Sequence, residues 1–202
     1  LDAIKKAIEP YPNYHVHYAL KANANPIILS HIQQAGLGAD CVSGGEVQRA
    51  IESGFPAQQI VYAGVGKSDR EIQLALQHDI LCFNVESIPE LQVINEIAAQ
   101  QNLVARVCLR INPDVAAHTH QFIATGKAEN KFGIAYVDMM EVIQIASHLE
   151  HIQLIGLHFH IGSQITDMND YIHLCERINT IQSMLEEQSI HLSLINVGGG
   201  LG

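Results

Sequence analysis

A lysine closes the apolar run Tyr18-Ala19-Leu20-Lys21 and is followed by Ala22-Asn23. At the end of a buried strand such an amine either snorkels to solvent or projects into a site as a Schiff-base nucleophile, its pKa lowered by desolvation or by nearby cations. Far along the chain, Gly198-Gly199-Gly200 follows directly on the apolar run Leu192–Val197. Residues without a Cβ let backbone amides close in on an anion, and phosphate is the usual guest of such a turn. A merely flexible tight turn is the plainer alternative. Ser163, in His160-Ile161-Gly162-Ser163-Gln164, offers a hydroxyl to the same anion if the two loops follow neighbouring strands. In His158-Phe159-His160 the imidazoles are two apart, so on a strand they share a face. Such a pair suits a metal-dependent hydrolase, yet the other strand ends offer no third and fourth ligand, and His118 and His120 fall in a long connection. One histidine stacked on a planar ring, with the other packed or hydrogen-bonded beside it, fits these residues better. Asp40 and Arg110 are charges within or ending otherwise apolar strands. Each needs a partner, and a pair between the two is the simple expectation.

The elements that must position these groups are legible from their joints. Ser43-Gly44-Gly45-Glu46, Ser68-Asp69-Arg70-Glu71 and Ser87-Ile88-Pro89-Glu90 are capping boxes, in which the serine hydroxyl accepts the N3 amide and the glutamate reaches back to the N-cap amide. Ser43 and Glu46 are thereby explained without a catalytic role. Apolar residues then recur at helical spacing, as in Val47, Ala50 and Ile51, and Asp138 to Glu141 looks like a fourth helix start. Strands are expected at His15–Leu20, Ala39–Val42, Ile60–Ala63, Ile80–Asn84, Val104–Ile111, Leu154–His160 and Leu192–Val197. Seven strands alternating with helices imply right-handed crossovers and a parallel sheet covered on both faces. Lys21, Ser43, Asn84, Arg110, His160 and Gly198 all fall at C-terminal strand ends. A doubly wound sheet would gather its site at one switch point, whereas a barrel brings every strand end to one mouth, so an α/β barrel is favoured. The connection from Asn112 to about Asp138 is too long to be idle and is expected to be functional.

The chain has 202 residues, with 11 Lys and Arg against 21 Asp and Glu, a net charge of −10. Apolar residues make up 48% and charged residues 16%, which excludes a disordered chain. A net negative charge with no basic cluster excludes a phosphate-backbone or anionic-membrane partner, though not a small anion held by amides. Cys41, Cys82, Cys108 and Cys175 are far apart with no C-x-x-C, which fits a reducing, cytoplasmic setting. No proline- or glycine-serine-rich linker divides residues 1–202, so one domain is expected. The glycine turn just before the last residue reads as a barrel that continues past it.

Seven motifs occurring in order resemble the diaminopimelate decarboxylases, fold-type III pyridoxal-phosphate enzymes with an alanine-racemase-like barrel. They are Tyr18 to Asn23, Ala39 to Glu46, Gly64-Val65-Gly66-Lys67-Ser68, Phe83-Asn84-Val85-Glu86-Ser87, Arg110-Ile111-Asn112-Pro113, His160 to Gln164 and Gly198 to Gly200. The stretch from Thr119 to Ile134 is similar to this branch rather than to ornithine decarboxylase. The resemblance implies a pyridoxal 5'-phosphate-binding (β/α)8 TIM-like barrel, incomplete here at about seven βα units. It implies that Lys21 holds the cofactor aldehyde, that His160 stacks on the pyridine, that Ser163, Gly198, Gly199 and Gly200 bind the phosphate, and that Asp40 and Arg110 belong to the polar network round the ring. It implies decarboxylation of meso-2,6-diaminopimelate to L-lysine and CO2, in a cytoplasmic homodimer of lysine biosynthesis. The family's eighth strand, with a glutamate for the pyridine nitrogen and an arginine for substrate, and its C-terminal β-domain are not in these residues, so this piece alone is expected to be inactive. The rival readings are a sister decarboxylase or racemase, a metal-dependent hydrolase using His158 and His160, and a non-catalytic cofactor-binding barrel.

Overall fold

The computed structural model describes residues 1–113 and 132–202. The strands are β1 His17–Ala19, β2 Gly38–Cys41, β3 Ile60–Tyr62, β4 Cys82–Val85, β5 Ala105–Asn112, β6 Ile134–Ala135, β7 Ile152–His158 and β8 Leu194–Asn196. The helices are α1 Asp2–Ile8, α2 Pro26–Gln34, α3 Gly44–Glu52, α4 Asp69–Gln77, α5 Ile88–Gln100, α6 Met139–Ser147 and α7 Met168–Glu187. Among the described residues every strand pairing is parallel, and the main path runs β1-β2-β3-β4-β5-β7-β8 without reversal, with β6 pairing the end of β5. A doubly wound sheet reverses its order at a switch point; this one does not. The sheet curls into the wall of a barrel, with β1 and β8 as its two edges. Each expected strand is present, with ends shifted by at most two residues, while the two-residue β6 has no counterpart in the sequence reading. The long connection falls largely on residues 114–131, outside the described residues, as do His118 and His120. Among the described residues no helix is long and apolar enough to cross a membrane.

The capping boxes form with one correction. Glu71 accepts the Ser68 amide at 3.0 Å, as a capping box requires. Glu46 and Glu90 accept instead the amides of Val42 and Glu86, one residue before the N-cap, at 2.7 and 2.8 Å. The difference follows the N-cap backbone: Ser43 and Ser87 are fully extended at φ −152° and −159°, against −83° at Ser68. These two glutamates therefore tie α3 and α5 to the ends of β2 and β4. Asp138 is the N-cap of α6 by position, but its side chain makes no capping hydrogen bond. Two further starts were readable: Asn25 Oδ1 accepts the Ile27 amide ahead of α2, with Pro26 at N1, and Asp167 caps α7.

Outward strand residues such as Ala39, Tyr62, Phe83, Val107 and Leu157 pack against the helices in one continuous core. Inward residues alternate with them. Val61, Cys82 and Cys108 fill the middle of the barrel with Ile155 and Leu194, and the two thiols lie 3.6 Å apart. At the N-terminal rim, Arg106 donates to the carbonyls of Asp79, Ile80 and Leu81 and to the Asp79 carboxylate, closing that end. One irregularity matters for the site. Val107 pairs with Leu154 but Cys108 pairs with Gly156, so Ile155 is an extra residue in β7. A bulge of one residue switches the face of everything after it. Beyond it His158 rather than Leu157 stands opposite Arg110.

Candidate functional site

A single cavity of about 2310 Å³ runs along the inner wall and is lined by Lys21, Asp40, Arg110, His158, His160, Ser163, Gly198, Gly199 and Gly200. Of the strand-end residues singled out in the sequence, Lys21, Arg110, His160 and Gly198 thus share one space, whereas Ser43 and Asn84 do not line it. Lys21 sits in a 3-10 turn, Leu20–Ala22, just past β1; buried Leu20 anchors the turn, and the lysine side chain is exposed on the cavity side.

The expected Asp40–Arg110 pair does not form. Arg110 instead donates to Glu86 Oε1 at 3.0 Å, a carboxylate the sequence reading left without a role. Glu86 comes one residue after β4, and the 24 residues separating it from Arg110 hide the pairing from local reading. Asp40 keeps a buried Oδ1 with no hydrogen-bond partner. Burial pushes its carboxyl up to about 6, with Glu46 adding to the rise and Lys21 and Arg110 opposing it. Behind Glu86 a second buried pair completes the wall. The Lys67 ammonium, 1% exposed, donates to Glu90 at 2.6 Å and to the carbonyls of Gly64 and Asn84 at 2.7 and 2.9 Å, while Tyr62 presents its ring 5.3 Å away.

His158 is buried, and its Nδ1 has no hydrogen-bond partner. Burial holds its pKa near about 3, helped by the charges of Arg110, His160 and Lys67. It is neutral at any ordinary pH. Among the described residues no group of three or more His, Cys, Asp or Glu side chains is arranged to hold a metal. His17, at the opposite end of the inner wall, is likewise held down to about 4 by burial and by His15. Both histidines refuse a proton that the unfolded chain accepts below its ordinary 6.5. Stability is therefore full above that value and falls as the pH drops through 6 toward 4. Asp40 acts in the opposite sense between about 6 and its ordinary 3.8, but it is one group against two. Lowering the pH from 7 to 5 should remove about 2 kcal/mol, read as a fall of roughly 4–8 °C in Tm. A Tm that stays level across that interval contradicts the assignment of both histidines as buried and neutral.

The two loops expected to bind an anion follow neighbouring strands and are laced together. The Ile165 amide donates to the Gly200 carbonyl at 2.8 Å, and the Gly202 amide to the Ile165 carbonyl at 2.9 Å. Asn196 Oδ1 accepts the Gly198 amide, and the Tyr171 hydroxyl donates to the Gly199 carbonyl at 3.2 Å. The closeness requires glycine. Gly200 has φ +96°, and a Cβ there would overlap the Gly162 carbonyl oxygen; one on Gly198 would overlap that of Phe159. The result is a cradle of backbone, with Ser163 beside it, facing the same cavity as Lys21.

An amine just past the first strand of a parallel barrel wall and a glycine turn laced to a second strand-end loop line one cavity, the arrangement expected of a protein that anchors a phosphate-bearing aldehyde. Comparison with known proteins agrees. The family described as pyridoxal-dependent decarboxylase, pyridoxal binding domain, matches residues 1–202, and the chain belongs to that family. The diaminopimelate decarboxylase of Bacteroides thetaiotaomicron is 60% identical over the whole chain, which covers 52% of that protein. The one from Neisseria meningitidis serogroup B is 44% identical, with 50% of its length covered. The crystal structure of Helicobacter pylori diaminopimelate decarboxylase complexed with L-lysine superposes with a TM-score of 0.89 at 42% identity, covering all of this chain and 52% of that one. The chain spans about half the length of the curated relatives it matches. The family's cofactor is pyridoxal phosphate, and the residues present fit it. The turn has no room for a Cβ at Gly198 or Gly200, and among the described residues the cavity wall carries two buried polar atoms, Asp40 Oδ1 and His158 Nδ1, without partners.

Proposed function

We propose that residues 1–202 form one cofactor-binding domain of an enzyme that decarboxylates meso-2,6-diaminopimelate to L-lysine and CO2. The observation that carries this reading is the convergence of Lys21, Ser163 and the Gly198–Gly200 turn on one cavity, in a chain 60% identical to a diaminopimelate decarboxylase. Lys21 is the covalent anchor for the cofactor aldehyde. The amides of Gly198, Gly199 and Gly200 and the Ser163 hydroxyl hold its phosphate, and His160 lies against the ring. Asp40 and Arg110 supply the charges round the ring, and neutral His158 offers Nδ1 without adding a cation to a mouth that already holds Lys21, Lys67 and Arg110. The cofactor, when bound, supplies an electron sink for the carbanion left by the departing carboxylate. The whole protein acts on a small amino acid as a cytoplasmic homodimer, with neither nucleic acid nor membrane as partner; the net charge of −10 supports the last point.

The test is to load the complete protein with pyridoxal phosphate and measure lysine and CO2 formed from meso-diaminopimelate, with ornithine and arginine as competing substrates. Release of lysine from diaminopimelate alone is the expected result. Preferential turnover of ornithine or arginine would assign a sister decarboxylase, and no turnover by protein carrying cofactor on Lys21 would assign a non-catalytic binding barrel. The cradle gives a separate expectation. Gly200→Ala forces apart two loops joined at 2.8 Å and should weaken pyridoxal phosphate binding by roughly tenfold or more, since a displaced amide loses a charge-assisted hydrogen bond. Binding of pyridoxal, which lacks the phosphate, should change far less; equal losses for both ligands would remove the cradle's assigned role.

A further inference from the structure

We propose that Glu86 is a positioning residue for the site: it holds the Arg110 guanidinium on the inner wall and cancels its charge, so setting the field in which the Lys21 amine works. This rests on the reading that Lys21 carries the cofactor.

Glu86 is suited to this by how firmly it is fixed. Its amide donates to Glu90 Oε2 at 2.8 Å, and Glu90 Oε1 is held by the buried Lys67 ammonium at 2.6 Å. The carboxylate therefore starts from a backbone pinned between β4 and α5 and cannot follow Arg110 if the latter moves. The Glu86 side chain is 4% exposed and that of Arg110 12%, so water screens the pair weakly. Only one carboxylate oxygen is used: Oε1 meets Arg110, whereas Oε2 is buried with no hydrogen-bond partner. A carboxylate half-satisfied in this way costs stability in a purely structural pair, where a bidentate fork would be expected. The charged and titratable groups linked to the pair are Glu90, which holds the Glu86 amide, and those that share Arg110's influence: Lys21 and Glu46 act with it on Asp40, and Lys67 and His160 act with it on His158. Arg110 acts on both Asp40 and His158, and Lys21 also acts on Asp40. An uncompensated Arg110 would thus add a full positive charge to the cavity that the Lys21 amine also lines.

The experiment is a spectroscopic pH titration of the complete holoenzyme, following the visible band of the lysine-bound cofactor. Glu86→Gln keeps the size and one hydrogen-bond acceptor but removes the charge. The titration midpoint should fall by at least about half a pH unit, because a nearby cation disfavours the protonated form. Glu86→Asp should restore most of it, and Arg110→Met/Glu86→Gln, which removes both charges, should return the midpoint to the wild-type value. A Glu86→Gln midpoint equal to that of the wild type overturns the proposal, as does a double variant displaced as far as the single one. Should Glu86→Gln not accumulate as folded protein, Arg110→Met/Glu86→Leu reads the same quantity: an unchanged midpoint supports the proposal and a displaced one overturns it. A wild-type protein that takes up no cofactor on Lys21 overturns the underlying reading of the site, and this inference with it.

Discussion

Lys21→Ala should abolish covalent capture of pyridoxal phosphate and, with it, the visible absorbance of the loaded protein. The residue lies in the short turn after β1, exposed to the cavity that also holds the glycine cradle. The other lysines that line this cavity, Lys5 and Lys6, lie on α1, ahead of β1, whereas Lys21 lies just past its end. Lys67 is buried outside that lining, and its three donor positions are spent on Glu90, Gly64 and Asn84. An amine held this way is not free to leave its three partners. On the proposed function, turnover of the complete protein should drop by roughly a thousandfold or more, because the amine proposed to bond the aldehyde is gone. The fold should be unaffected, since an exposed lysine at a turn contributes little to stability. Lys21→Arg sharpens the test: it keeps the positive charge opposite Asp40 yet cannot form the bond. Borohydride reduction followed by peptide mass analysis locates the attachment. Cofactor trapped on Lys67, or a visible band surviving in Lys21→Ala, would show the assignment to be wrong.

That lysine was legible from the sequence because its neighbourhood is local. A short strand, an abrupt end and a polar group at that end can all be read from adjacent positions. The same holds for the glycine turn after β8 and for the three serine caps, which encode helix starts within four residues. What could not be read lies between strands. The Glu86–Arg110 pair joins residues 24 apart, and Lys67 finds Glu90 23 residues away. The sequence reading needed a partner for Arg110 and chose Asp40, a carboxylate on another strand. The choice failed because the sheet's register, not the residue inventory, decides which charges meet. His158 shows the same limit more sharply. Strict alternation along β7 from Leu154 would turn it outward, and only the extra residue at Ile155 sets it opposite Arg110. Gly156 marks that spot, and its missing Cβ leaves room for the Leu194 carbonyl. A lone glycine inside an apolar strand was the one available signal. The resemblance to a known family supplied the cofactor's identity, which no spacing contains, but it did not supply these contacts.

The buried Lys67–Glu90 pair carries the largest expected effect on stability. The Lys67 side chain is 1% exposed and that of Glu90 14%, with 2.6 Å between charged atoms. Lys67→Met removes the cation but leaves three oxygens that it satisfied, two of them backbone carbonyls at the ends of β3 and β4. Breaking a buried pair from one side strands the partner's charge, and the loss should be about 3–5 kcal/mol, or roughly 10 °C or more in Tm. The loss should be largely electrostatic rather than volumetric, because Met fills nearly the same space and can still lie against the Tyr62 ring. A second variant separates the two. Lys67→Met/Glu90→Gln removes the stranded charge while the glutamine carbonyl still accepts the Glu86 amide that Glu90 now holds at 2.8 Å. If charge is the cause, the double variant recovers most of the lost Tm, and the two substitutions are strongly non-additive. If lost packing is the cause, the double variant is no more stable than the single one. Stability should depend little on salt in the wild type, since a pair this deeply buried is poorly screened, so a strong ionic-strength dependence of the double-mutant coupling would also count against the buried pair.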